Sequence, residues 1–67
     1  MRAKYFPDTD TLLLSFSKNA IVDTHDVTED ILVELDESGR VVSMTIEHAR
    51  RQTDVEEFTY EYAGVRG

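Results

Sequence analysis

The 67-residue sequence contains no cysteine and no tryptophan, a single proline and three glycines. Without cysteine there is no disulfide and no thiolate ligand for a metal. Its two histidines cannot complete a zinc site unless carboxylates join them. Long apolar runs are also missing. Nothing approaches the ~20 residues of a membrane-spanning helix, and the opening MRAKYFPDTD lacks the apolar segment of roughly 7–15 residues that a signal peptide needs. A cytoplasmic protein with no membrane association is expected. Basic residues are scarce: 7 Lys plus Arg stand against 14 Asp plus Glu, a formal net charge of −7. Binding to a phosphate backbone needs a concentrated basic face, so no direct nucleic-acid partner is expected. A small basic protein suits this charge better.

Residues 1–67 read as one small domain. A chain this short removes only about 60% of its unfolded surface from water. Domains of this size usually lean on a disulfide, a metal or self-association. With the first excluded and the second unsupported, a homodimer or larger homo-oligomer is expected.

What the chain does have is β patterning. Ile31, Val33 and Leu35 alternate with Leu32 and Glu34, and Val42, Met44 and Ile46 alternate with Ser43 and Thr45, on either side of Asp36-Glu37-Ser38-Gly39. Period two about a turn ending in glycine predicts a β-hairpin. Gly39 should take the left-handed conformation. With all of Asp36 to Gly39 as loop, Leu35 faces Arg40, Val33 faces Val42, and Ile31, Val33, Leu35, Val42, Met44 and Ile46 share one face. A three-residue loop would put Val33 opposite Ser43, and a slip by one residue moves an apolar set to the wrong side. The four-residue loop is therefore predicted.

Upstream, residues 2–6 read as a first strand with Tyr5 inward, ended by Pro7, which cannot donate to a ladder. Asp8-Thr9-Asp10 is turn chemistry. Leu12, Leu14 and Phe16 alternate with Leu13, Ser15 and Ser17 as a second strand. Residues 20–27 suggest an extended connection or a short edge strand. Residues 47–52, EHARRQ, predict one or two helical turns with Ala49 toward the sheet, and Thr53-Asp54 ends them or caps a further turn. Phe58, Tyr60 and Tyr62 alternate in the tail and suggest a fifth strand. The fold class is α+β: a small antiparallel β-meander of four strands, with a fifth left open, and a short helix after the last hairpin.

Catalytic chemistry finds little footing. Asp23, Asp26, Glu29 and Asp30 lack the ligand periodicity and glycine of a calcium loop and read as a solvated connection. Asp8 and Asp10 read as turn formers. Imidazole is the usual general base, but no spacing brings Ser15, Ser17, Ser38 or Ser43 to His25 or His48, and no nucleophile elbow is present. Arg50-Arg51 suits a helix C-terminus. No enzyme, cofactor or metal is expected. The suggestive feature is Leu13, Leu32 and Val41, apolar residues on the face opposite the expected core, where water-facing positions should be polar. Either the aromatic tail or a second subunit should cover them.

Tyr5-x-Pro7-x-x-Asp10-x-Leu12-x-Leu14-x-Phe16-Ser17, then Ile31-x-Val33-Glu34-x-Asp36-x-x-Gly39-Arg40-Val41-Val42-x-Met44-x-Ile46 and Ala49-Arg50-Arg51, together resemble the small prokaryotic family called domain of unknown function 2283, over about residues 4–51. Phe6 departs from an aspartate common there, and the tail does not align. The resemblance implies a β-meander with a short helix. It carries over no catalytic residue, and it implies an antitoxin-type role through relatives encoded beside a small toxin-like protein. The expectation is a small acidic protein-interaction module. A structural homo-oligomer and a small-molecule or metal-binding domain are the alternatives.

Overall fold

Five strands and one short helix follow in the order β1 (Arg2–Phe6), β2 (Thr11–Ser15), β3 (Asp23–Asp26), β4 (Ile31–Leu35), β5 (Val41–Glu47) and α1 (Ala49–Gln52). The structure, a computed structural model, describes residues 1–64. The α+β class holds, with all strands antiparallel in one sheet. The strand order is β1-β2-β5-β4-β3, and this corrects the expected meander. β3, β4 and β5 follow one another by hairpins, while β2 lies beside β5, so β2 to β5 form a Greek key. The connection after β2 passes across the hairpin end of β4 and β5. It is held there by the Phe16 amide donating to the Val42 carbonyl (2.7 Å) and the Val22 amide donating to that of Leu35 (2.9 Å).

The fifth strand is Asp23–Asp26, not the aromatic tail. Phe58, Tyr60 and Tyr62 lie outside any strand and are exposed. The polar sequence DTHD has no apolar alternation because an edge strand exposed throughout has no buried side to mark it. Its charges also suit a free edge, where they discourage pairing with another chain.

The hairpin is built differently from expectation. The Asp36 amide donates to the Arg40 carbonyl (2.9 Å) and the Gly39 amide to the Asp36 carbonyl (3.0 Å), so the loop has three residues. The loop closes on Gly39 at φ 81°, the left-handed position such three-residue loops require. Leu35 then pairs with Val41. A register shift between Glu34 and Leu35 puts Val33 opposite Met44 and Ile31 opposite Ile46. The bulge supplies the parity correction that loop length does not, so Ile31, Val33, Met44 and Ile46 still share a face.

That face carries Ala3 and Tyr5 of β1, Leu12 and Leu14 of β2, Met44 and Ile46 of β5, Ile31, Val33 and Leu35 of β4, and Asp23 and His25 of β3, by register. Its burial is incomplete. Among the described residues Val42, Ile46 and Ala49 are the buried apolar ones, and no large side chain is fully enclosed. α1 comes down at one corner with Ala49 at 0% exposure, as its apolar character between charged neighbours predicts.

Candidate interaction surface

The two ends of the sheet are each organised by an aspartate. At the hairpin end Asp36 is buried (8% exposed). One of its oxygens accepts from the amides of Ser38 (2.9 Å) and Arg40 (3.0 Å), and the other from Asn19 Nδ2 (2.8 Å). These bonds, the Arg40 amide first, hold its carboxyl below the usual aspartate range.

At the other end Asp10 reaches a helix forty residues away. Its backbone carbonyl accepts from the Ala49 amide (3.0 Å), and its Oδ1 accepts from the Arg50 amide (3.1 Å) and the Tyr5 hydroxyl (2.6 Å). Arg50 Nε donates to the same Tyr5 oxygen (2.9 Å). α1 has no side-chain cap of its own, so Asp10 satisfies the first amides of the helix from outside. The bond from Tyr5 is the leading reason Asp10 is held more acidic than usual, and that same bond raises the Tyr5 phenol. Beside this clasp His48 Nδ1 lies 2.8 Å from Asp30 Oδ1. Asp10 (φ 54°) and His48 (φ 53°) are both left-handed, a conformation that side-chain-bearing residues hold only when their surroundings enforce it.

These groups are tied to one another by direct hydrogen bonds. His25 lies 3.0 Å from Asp23, and the Asp23 carboxyl is held low first by the Thr24 amide and then by His25. Ser43 donates to Glu34 (2.7 Å) and not to a histidine. Asp26, Glu29 and Asp30 gather near the β3–β4 turn. No group of three or more metal-ligating side chains occurs among the described residues.

The residues expected to form an interaction face are only partly brought together. Leu13 and Leu32 both pair with Thr45, in a transverse row that runs Lys4, Leu13, Thr45, Leu32, Asp26 across all five strands. Val41 is outside this row. The bulge pairs it with Leu35, and it is 41% exposed. That side of the sheet is therefore interleaved with charge and hydroxyl groups, as a wetted face should be.

The apolar surface that the alternation assigns to a core is itself only partly covered. Residues 54–58 lie against Ala3, Tyr5 and Leu12, through Asp54, Val55, Glu57 and Phe58. They leave Ala3 exposed and Tyr5, Leu12 and Leu14 half-buried. Ile31, Val33, Leu35 and Met44 on the other half of the face are only half-buried. Sequence reasoning named these residues but took them as enclosed. The signal that could have found them is the ratio of sheet to cover, since a four-residue helix cannot roof five strands.

The clasp also gathers Tyr5, Asp10, Ala49 and Arg50, residues of the two separated motifs read from the sequence. A sequence profile of the family described as protein of unknown function (DUF2283) matches residues 2–50. The chain belongs to this family. The DUF2283 span takes in all five strands and ends at Arg50, whereas the aromatic tail lies beyond the match. No curated protein and no solved structure is significantly similar to the chain. No helix among the described residues is long and apolar enough to cross a membrane.

Proposed function

We propose that this DUF2283 chain acts by protein–protein contact, as a small acidic interaction module in a cytoplasmic setting. The carrying observation is the half-covered apolar face. Ile31, Val33, Leu35 and Met44 stand together on one side of β4 and β5 and remain half-buried, whereas an antiparallel sheet ordinarily covers such a face completely. A binding role is favoured over catalysis because Tyr5, Asp10 and Arg50 are bonded to one another, as are His48 and Asp30. The net charge of −7 would steer a basic partner, including one of the antitoxin–toxin kind, toward the rim.

The test is affinity capture from the native host with wild type and Met44→Glu at equal loading. The expected outcome is a stoichiometric companion, another protein or an untagged copy of the chain, lost in the variant. Identical recovery by both proteins, or none by either, would end this reading.

A further inference from the structure

The wetted face of the sheet is ordered from one edge to the other. Its middle row runs Lys4, Leu13, Thr45, Leu32, Asp26, and the row beside it runs Arg2, Ser15, Ser43, Glu34, Thr24. Base stands on β1 and acid on β3 and β4. Read outward from Thr45, the middle row is the same in both directions, leucine then charge, with the sign of the charge reversed. Lys4 and Asp26 are exposed, and Leu13, Thr45 and Leu32 are half-buried. Two shallow depressions flank β5 on this face. The one over β1 and β2, about 230 Å³, is lined by Arg2, Lys4, Phe6, Leu13 and Ser15. The one over β4, about 250 Å³, is lined by Asp26, Thr28, Glu29 and Asp30, with Leu32 and Thr45 beside them. Neither α1 nor residues 54–58 line either depression.

We infer that this wetted face takes a second copy of the chain, about a two-fold axis that lies in the interface and runs along β5. A row whose charge reverses about its own centre is complementary to itself under that rotation. Turning one sheet over about β5 sets Lys4 on the partner's Asp26, Leu13 on the partner's Leu32 and Thr45 on its own copy. Ser15 comes over the partner's Glu34, with Arg2 beside it. A two-fold across the strands would set Lys4 on Lys4 and Asp26 on Asp26, opposing like charges at both rims, which disfavours it. One position works against the chosen axis. Glu47, the next wetted residue along β5 and exposed, falls beside its own copy at the end of the seam, where like charges weaken the contact.

Shape agrees with charge. The same rotation lays the basic depression of each protomer over the acidic depression of the other, and the two are of nearly equal size. Phe6, 38% exposed, stands at the β1 edge with Lys4 Nζ 5.1 Å from its ring centre. Ring and ammonium enter the partner's depression together, the ring toward the partner's Thr28 and the ammonium toward the partner's Asp26. The product is two aligned sheets about 10 Å apart. Five strands of about five residues present a face roughly 20 Å by 17 Å, small beside the roughly 800 Å² that each partner gives to a standard interface. The dimer therefore belongs to the micromolar range. It leaves the apolar face on its outside, free for the partner proposed above.

Sedimentation equilibrium of the full chain at low salt, from roughly micromolar to millimolar, tests this across the range where a modest interface operates. A dimer is expected. Leu32→Lys, which puts an ammonium group against the partner's Leu13, should weaken it about a hundredfold. Should that variant fail to fold, Phe6→Ser at the sheet edge should still weaken the dimer about tenfold. Lys4→Glu should weaken it by a similar factor, about tenfold, and Asp26→Lys in the same chain should restore it. Glu47→Gln should tighten it about threefold. Met44→Glu, on the opposite face, should leave it intact. A monomer throughout overturns the proposal, as does a dimer that neither Leu32→Lys nor Phe6→Ser weakens. Failure of Asp26→Lys to restore the Lys4→Glu dimer overturns the axis, because the crossed arrangement would keep like charges opposed in that double variant. The two proposals fail separately. A Leu32-dependent dimer with no companion held through Met44 keeps this one and ends the other, and a monomeric pure chain that captures a companion through Met44 does the reverse.

Discussion

Two aspartates do at the residue scale what the short helix and the tight hairpin cannot do alone. Asp36 gathers two turn amides and Asn19, and Asp10 caps a helix from across the sheet. Both carboxyls are more acidic folded than unfolded. Each therefore contributes stability that is complete above the unfolded value, near 3.9, and lost as pH falls below it through the lower folded value. Urea midpoints measured from pH 7 to pH 2 should decline through this window. Asp36→Asn should start lower at pH 7 and decline less. Gly39 belongs to the same scale. At φ 81° a Cβ would meet nothing within 4 Å, so the cost of substitution is backbone strain alone. Gly39→Val should destabilise by about 1–2 kcal/mol, read as a urea midpoint shift; an unchanged midpoint would mean that the loop relaxes to another turn.

Among the elements, α1 is the least self-sufficient. Four residues fall far below the length at which a helix is stable in water. It persists because Ala49 is enclosed and Asp10 and Tyr5 hold its first turn. Asp10→Ala should release α1 and leave the strands paired, seen as fast hydrogen exchange at Thr53, whose amide bonds the Ala49 carbonyl (2.8 Å), with protection kept in β5. Protection unchanged at Thr53 would show the cap to be dispensable. Ala49→Leu should cost about 1–3 kcal/mol, because a corner at 0% exposure has no room for the added carbons; equilibrium unfolding measures it.

At the scale of the whole molecule, the sheet has two unlike faces and two unlike edges. The Lys4–Leu13–Thr45–Leu32–Asp26 row alternates with water-seeking groups, whereas the opposite face is continuous in apolar residues from Tyr5 to Ile31. If the face that carries this row closes on a second copy, folding and association are linked and apparent stability depends on concentration. The urea midpoint should rise with chain concentration over a hundredfold range. A concentration-independent midpoint is the expected result for Leu32→Lys.

Local pattern determined the parts. The alternation of Ile31 to Leu35 and Val42 to Ile46 identified β4 and β5, the residue types of EHARRQ identified α1 with Ala49 inward, and Gly39 identified the left-handed turn position, because each depends on neighbours only a few bonds away. The tertiary structure decided the rest. β3 has no buried side to leave a period in its sequence. The bulge at Val41 and Val42 exists because a three-residue loop and a shared apolar face demand opposite parities, and only the paired strands reconcile them. The placement of β2 against β5 and of Asp10 against Arg50 joins segments some thirty to forty residues apart, for which one chain carries no local signal. Whether the apolar face is a core or a surface was likewise outside the pattern. Alternation says which residues share a side, and only the three-dimensional arrangement says how much of the chain is left to cover them.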